Sequence, residues 1–323
     1  MTKLRISIVQ YLNTAPLVRG FTHGPLQGKY DLSFTVPSQC AEELRTGAAD
    51  IAIIPAIEYQ RIDGLTILPN LSIASKQRVR SLLLISKLPI RQARSIALDS
   101  SSRSTQALTK ILCAEHWKIS PAFREARPDL STMLQDTDAA LLIGDPALRL
   151  SIAIENEARR GPDAEQICPG ASAGIGSDAE QDRPSVSAEI AGAGANLHIY
   201  DIVEEWRRLT NLPAVLAIWA VRQDAVPPST LPEIVSDFHS SLAFGLDQLP
   251  EISREASTNL HLPEPDLGAY LQQNIDYTLD AENLQGLQRF FTLSSQLKLT
   301  GPLKPIALAD NPSTLTAGAS KSS

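Results

Sequence analysis

Between Lys3 and Leu150 short apolar runs alternate with amphipathic ones. The pattern predicts a buried strand at 4–9, a helical turn at 14–19, a strand at 32–36, a helix at 39–45 closed by Gly47, and a strand at 50–54. That order is a βαβαβ unit, which implies a parallel sheet with ligands at the carboxyl ends of its strands. An apolar strand at 81–85 leads into a second unit. It contains a strand at 94–98, a helix at 102–117 with Ala107, Leu108, Ile111 and Leu112 on one face, and a strand at 139–143 ending in Gly144. Two α/β lobes follow. The apolar strand 212–222 returns the chain to the first lobe, and four helical stretches run from there to about Leu297. The division expected is lobe 1 from 1–90 plus 212–309 and lobe 2 from 91–211.

Two segments break the pattern. Residues 152–199 hold ten Ala and six Gly, no aromatic residue, and 3 basic against 8 acidic residues, a balance of −5. So little apolar mass does not offset the entropy of ordering, and a flexible or loosely helical surface insertion is expected. Residues 310–323 are small and polar and read as a flexible tail.

Composition narrows the class. At 43% hydrophobic and 20% charged residues the chain is globular in character, which excludes disorder throughout, and 323 residues suit two domains. A net charge of −7, from 29 basic and 36 acidic residues, excludes a nonspecific nucleic-acid binder. No apolar run approaches the ~18 residues of a membrane span. The chain passes from a short basic start directly into strand pattern, so a cytoplasmic protein is expected, without nucleic-acid or membrane partners. Cys40, Cys113 and Cys168 lie far apart and read as reduced thiols. The five histidines never fall at ligand spacing, so neither a structural nor a catalytic metal is expected.

Four strand-to-helix junctions gather polar groups. In Tyr11-Leu12-Asn13-Thr14-Ala15-Pro16, Asn13 or Thr14 can cap a helix; in Val36-Pro37-Ser38 the cap expected is Ser38. The run Asp99-Ser100-Ser101-Ser102-Arg103-Ser104-Thr105 brings hydroxyls, a guanidinium and free amides to a helix start, a cradle for a carboxylate or phosphate. Gly144-Asp145-Pro146 offers Asp145 as a cap. Each junction taken alone is an ordinary helix start. Arg80 has two readings, a carboxylate ligand or, the favoured one, a solvated strand-end charge. No GxSxG elbow, P-loop, GxGxxG or HExxH occurs.

Taken in order, YLNTAPL (11–17), VPSQCAEELRTGAADIAIIPAIEY (36–59), RVRSLLLIS (78–86), LDSSSRSTQAL (98–108), LLIGDPAL (141–148) and YDIVEEWRRLTNLPAVLAIWAVR (200–222) resemble the chorismate dehydratases of the futalosine route to menaquinone. The resemblance spans about 3–150 and 200–291 and leaves out the acidic insertion. It implies a two-lobed periplasmic-binding-protein type II fold with the active site between the lobes, and an enzyme that uses no cofactor. The implied reaction removes the ring hydroxyl of chorismate as water to give 3-[(1-carboxyvinyl)oxy]benzoate. Asn13 and Ser81 match the polar positions at the family's reaction centre and are the expected catalytic residues. Thr14, Ser38, Ser102, Arg103, Ser104, Thr105, Gly144 and Asp145 are the expected substrate-binding set, with Arg103 alternatively a solvent-facing helix residue. Two departures stand out: the SRST order where many relatives read SRTS, and Asn211 where the family carries Gly, a left-handed position that Asn tolerates. With no His or Glu in a matching motif to act as base, the substrate's enolpyruvyl carboxylate is the expected proton acceptor. Two alternatives remain: a binding protein that captures an anionic solute without chemistry, and the sister lyase acting on cyclic dehypoxanthinyl futalosine. Oligomeric state is not legible.

Overall fold

The computed structural model describes residues 3–160 and 197–309. Two five-stranded sheets organise them. The first runs β2 (Asp31–Thr35), β1 (Arg5–Val9), β3 (Ile51–Pro55), β10 (Ala214–Arg222), β4 (Leu65–Ser75). The second runs β7 (Ala122–Ala126), β6 (Ser95–Asp99), β8 (Ala139–Ile143), β5 (Leu82–Ser86), β9 (His198–Asp201). The expectation of parallel sheets holds for β2-β1-β3 and for β7-β6-β8. It fails beyond them, because β10 and β5, which carry the chain between the sheets, pair antiparallel with both neighbours. The strand at 82–86 therefore belongs to the second sheet, not to the first lobe as its sequence position suggested.

Alternation along the strands explains the layers. In the second sheet Leu82, Leu84, Ile96, Leu98, Leu141 and Ile143 face the main core, while Leu83, Ile85, Ala97, Ala140 and Leu142 face a smaller one. Helices α4 (Leu130–Asp136) and α5 (Gly144–Arg160) close the smaller core with Leu130, Met133, Leu134, Ala147 and Leu150. Helix α3 (Arg103–Ile111), continued by a π-turn at Leu112–Trp117, and α6 (Ile202–Thr210) cover the other face. With both faces buried, β5 and β8 carry an unbroken apolar run. In the first lobe α1 (Ala15–Thr22) packs on α7 (Leu231–Asp247) so closely that a Cβ on Gly245 would stand 1.9 Å from the Pro16 carbonyl oxygen. Three further helices follow: α8 (Leu249–Leu260), α9 (Glu264–Ala269) with a π-turn at Tyr270–Asn274, and α10 (Ala281–Gln296).

The insertion expected at 152–199 begins later than its composition suggests. Residues 152–160 complete α5 and 198–199 open β9, while 161–196, with Cys168, and the tail 310–323 lie outside the described residues. Cys40 and Cys113 are buried free thiols, each pushed up to about 12 by burial. Among the described residues no helix is long and apolar enough to cross a membrane, and no group of His, Cys, Asp or Glu is placed to hold a metal.

Backbone amides hold several carboxylates low. Thr132 N–H does so for Asp129, the cap of α4, Arg94 N–H for Asp138, and Asn283 N–H for Asp280, the cap of α10. A folded-state pKa below the ordinary value of about 3.9 gives stability that is complete above that value and is lost as pH falls through the lower one. Chemical denaturation at stepped pH should therefore show stability falling as pH drops below about 4, with a shallower fall in Asp138→Asn. An unchanged slope in that variant would contradict the assignment.

Candidate active site

The carboxyl ends of β1, β3 and β8 and the first residue of β5 converge on a cleft between the sheets. Val9, Tyr11, Asn13, Pro55, Leu82, Ser102, Thr105, Ile143 and Gly144 are among the residues lining it, a narrow space of about 40 Å3. Its walls are apolar, with a few polar groups set into them, as expected of a site for a small organic anion.

At one end lies Asn13, one of the two expected catalytic residues; the other, Ser81, is not itself in the lining but directly precedes Leu82, which is. Asn13 sits in a single 3-10 turn, Leu12–Thr14, between β1 and α1. Thr14 is the N-cap by position but makes no side-chain cap; its hydroxyl instead donates to Asn13 Oδ1 at 3.3 Å. Ser81, just before β5, is 1% exposed and accepts a 2.9 Å hydrogen bond from the Tyr270 hydroxyl. The Asn13 side chain lies near the same hydroxyl. Burial pushes the Tyr270 phenol well above its ordinary range, so it stays protonated. Residues from the two ends of the sequence thus gather around one oxygen.

The other end is built on the 99–105 loop. Asp99 is fully buried; its Oδ1 accepts from the Ser101 N–H at 2.9 Å and O–H at 2.6 Å, and its Oδ2 accepts from Ile143 N–H at 3.3 Å. Burial pushes this carboxyl above its usual range while those donors pull it back. The Tyr11 hydroxyl donates to Ser101 Oγ at 3.3 Å. Ser102 caps α3 with an extended backbone, and its hydroxyl lies 2.9 Å from Thr105 Oγ1. Both line the cleft. Gly144 has φ +68°, and a Cβ there would stand 2.8 Å from the Tyr11 ring.

Several expected ligands have other work. Ser38 is not a cap: Val36 holds that position for α2 (Pro37–Thr46), Pro37 the first turn, and Ser38 gives its N–H to the Ser101 carbonyl at 3.0 Å. Ser104 accepts the Ile57 N–H at 3.2 Å. Arg103 neither faces solvent alone nor lines the cleft; it donates to Glu58 at 3.1 Å, a fully buried carboxylate that also holds Arg45 and Arg61. Asp145 does not cap α5 but accepts the Leu12 N–H at 3.2 Å. The Ser38–Ser101, Ser104–Ile57, Arg103–Glu58 and Asp145–Leu12 contacts each join one lobe to the other. Arg80, favoured as a solvated charge, is 5% exposed, with φ +64° and its guanidinium 2.7 Å from Glu155. Tyr11, Asp99 and Tyr270 were not singled out from the sequence. Tyr11 and Asp99 stand inside recognised motifs, whereas nothing around Tyr270 marks it.

Two open-edged α/β layers joined by two antiparallel crossovers, with a cleft at the strand ends, define a periplasmic-binding-protein type fold. Solved structures agree. A protein of Archaeoglobus fulgidus superposes with TM-score 0.67 at 15% identity, covering 92% of this chain and 98% of that one. The periplasmic aliphatic sulphonate binding protein SsuA from Escherichia coli gives 0.55 at 14%, covering 93% and 94%. Within that fold the chain belongs to the menaquinone biosynthesis family, whose model matches residues 4–161 and 190–296. It is 26% identical over 286 residues to the chorismate dehydratase of Thermus thermophilus, covering 88% of this chain and 93% of that protein.

Proposed function

We propose that this protein is a chorismate dehydratase, a hydro-lyase that removes water from chorismate to give 3-[(1-carboxyvinyl)oxy]benzoate. The observation that carries the reading is the convergence of Asn13, Ser102 and Thr105 on one cleft, with Ser81 directly before Leu82 of its wall, in a chain of this family. In the elimination the C–H bond at the ether-bearing ring carbon and the adjacent C–OH bond both break, a third ring double bond forms, and one water leaves. Aromatisation drives it. What the protein must supply is orientation and a few hydrogen bonds aimed at developing charge. No metal or organic cofactor is needed for that.

The roles follow from position. Amides and hydroxyls at the start of α3, with Ser102 and Thr105, receive a carboxylate, favoured there by the helix dipole. The Asn13 amide hydrogen-bonds the departing hydroxyl or the second carboxylate, and Ser81 orients the ring or passes the proton to the leaving oxygen. The enolpyruvyl carboxylate accepts the ring proton. A substrate analogue lacking that carboxylate is expected to turn over far more slowly; a full rate would sink the assignment of the base.

Gly144→Ala should lower kcat/KM for chorismate by roughly tenfold, because the new methyl displaces Tyr11 from the wall of the cleft. An unaltered kcat/KM in that variant would mean that the Tyr11 wall does not meet the substrate. Side-by-side incubation with chorismate and with cyclic dehypoxanthinyl futalosine tests the reaction itself: dehydration of the first and inertness of the second are expected. Turnover of the second alone would move the protein to the sister lyase, and binding without turnover would make it a solute receptor.

A further inference from the structure

We infer that Tyr270 is a positioning residue for the dehydration, its hydroxyl fixing the direction in which Ser81 presents its proton. The inference rests on the proposed reaction. Its ground is a directed set of hydrogen bonds. The Tyr270 O–H donates to Ser81 Oγ at 2.9 Å, so the serine's own proton must point elsewhere, and Ser81 immediately precedes Leu82 of the cleft wall. Thr14 O–H donates to Asn13 Oδ1 at 3.3 Å, which leaves the amide NH2 of Asn13 for a ligand.

The tyrosine itself does not line the cleft and is 1% exposed. It therefore acts through its neighbours, not on the substrate. It belongs to the π-turn Tyr270–Asn274, which follows α9 directly and brings the hydroxyl to Ser81. A proton that must remain on this oxygen needs a phenol reluctant to ionise, and burial provides one. Without the hydroxyl, Ser81 becomes a free rotor. Transition-state alignment suffers while the carboxylate contacts that set binding are untouched.

Tyr277 supplies the control. It is 5% exposed, and its hydroxyl is buried with no hydrogen-bond partner among the described residues. Tyr270→Phe and Tyr277→Phe thus remove the same group from equally buried rings, one with partners and one without.

The test is steady-state kinetics on chorismate with thermal melts of the full-length chain, for both variants and for Tyr270→Phe in a Ser81→Ala background. Tyr270→Phe is expected to lower kcat by roughly 10- to 100-fold with KM changed less than about threefold. Tyr277→Phe should keep both constants. In the Ser81→Ala background the second change should cost less than about twofold, since the two groups act as one unit. A wild-type kcat in Tyr270→Phe overturns the inference, as does a full additional loss on top of Ser81→Ala, which would mark a general structural role. Unfolding of Tyr270→Phe at assay temperature, with Tyr277→Phe folded, also overturns it in favour of stability alone. A wild-type protein that leaves chorismate unchanged overturns the functional reading, and this inference with it, so the two failures are told apart by the wild-type control.

Discussion

Asn13→Ala and Ser81→Ala should each slow dehydration of chorismate by roughly 100- to 1,000-fold, the range for removing one hydrogen-bond donor aimed at developing charge. Binding should weaken much less, because the carboxylate contacts at the start of α3 lie at the other end of the cleft and remain intact. Kinetics then read as a fall in kcat with a modest change in KM, the signature of an interaction made in the transition state. Neither change opens the core. Ser81→Ala removes one hydroxyl, and Asn13 sits in a half-buried turn at the cleft. A fall confined to KM in both variants would mean that these residues only hold the ligand.

The largest loss of stability is expected from Asp201→Ala. Asp201 ends β9 and caps α6, and its two oxygens serve four backbone amides: Val203 at 2.9 Å and Glu204 at 3.3 Å in the helix, Val79 at 3.0 Å and Arg80 at 2.7 Å in the crossover from β4 to β5. Alanine removes the cap and leaves the buried crossover amides without an acceptor, a cost of roughly 3–5 kcal/mol. In a chain of this size that lowers the melting temperature by on the order of 10 °C. The consequence reaches the site, because Arg80 is held in the left-handed region and Ser81 follows it directly. Asp201→Asn retains one accepting oxygen and should fall between wild type and Asp201→Ala in both stability and rate. Melting curves that superpose for all three proteins would refute this role of the crossover.

The sequence marked most of the central strands because burial on both faces writes them as unbroken apolar runs, as in β3, β5 and β8. It did not mark β4, where Pro69 and Asn70, the latter at φ +56°, interrupt the run and the pairing with β10 shifts register twice. Nor could it place β5, since an apolar strand does not state which sheet it joins. Edge strand β7 is short and exposed, and nothing in AFREA distinguishes it from a loop. Caps were misread for a local reason. Thr14, Ser38 and Asp145 have the right chemistry, but each side chain or backbone amide is used to bridge the lobes or to set Asn13, which no local pattern encodes. Tyr270 lay furthest from view. Its partner Ser81 is 189 residues away, and a single tyrosine in a helical stretch carries no signal until the fold closes.

The most direct test is to add the purified protein to chorismate in plain buffer and follow the ring protons by NMR. Loss of the signals of the two saturated ring carbons is expected, with stoichiometric appearance of aromatic resonances, retained enolpyruvyl vinyl protons and a product lighter by one water, and with Asn13→Ala and Ser81→Ala nearly silent. Chorismate that stays unchanged, or an aromatic product that has lost the enolpyruvyl group, would contradict the account.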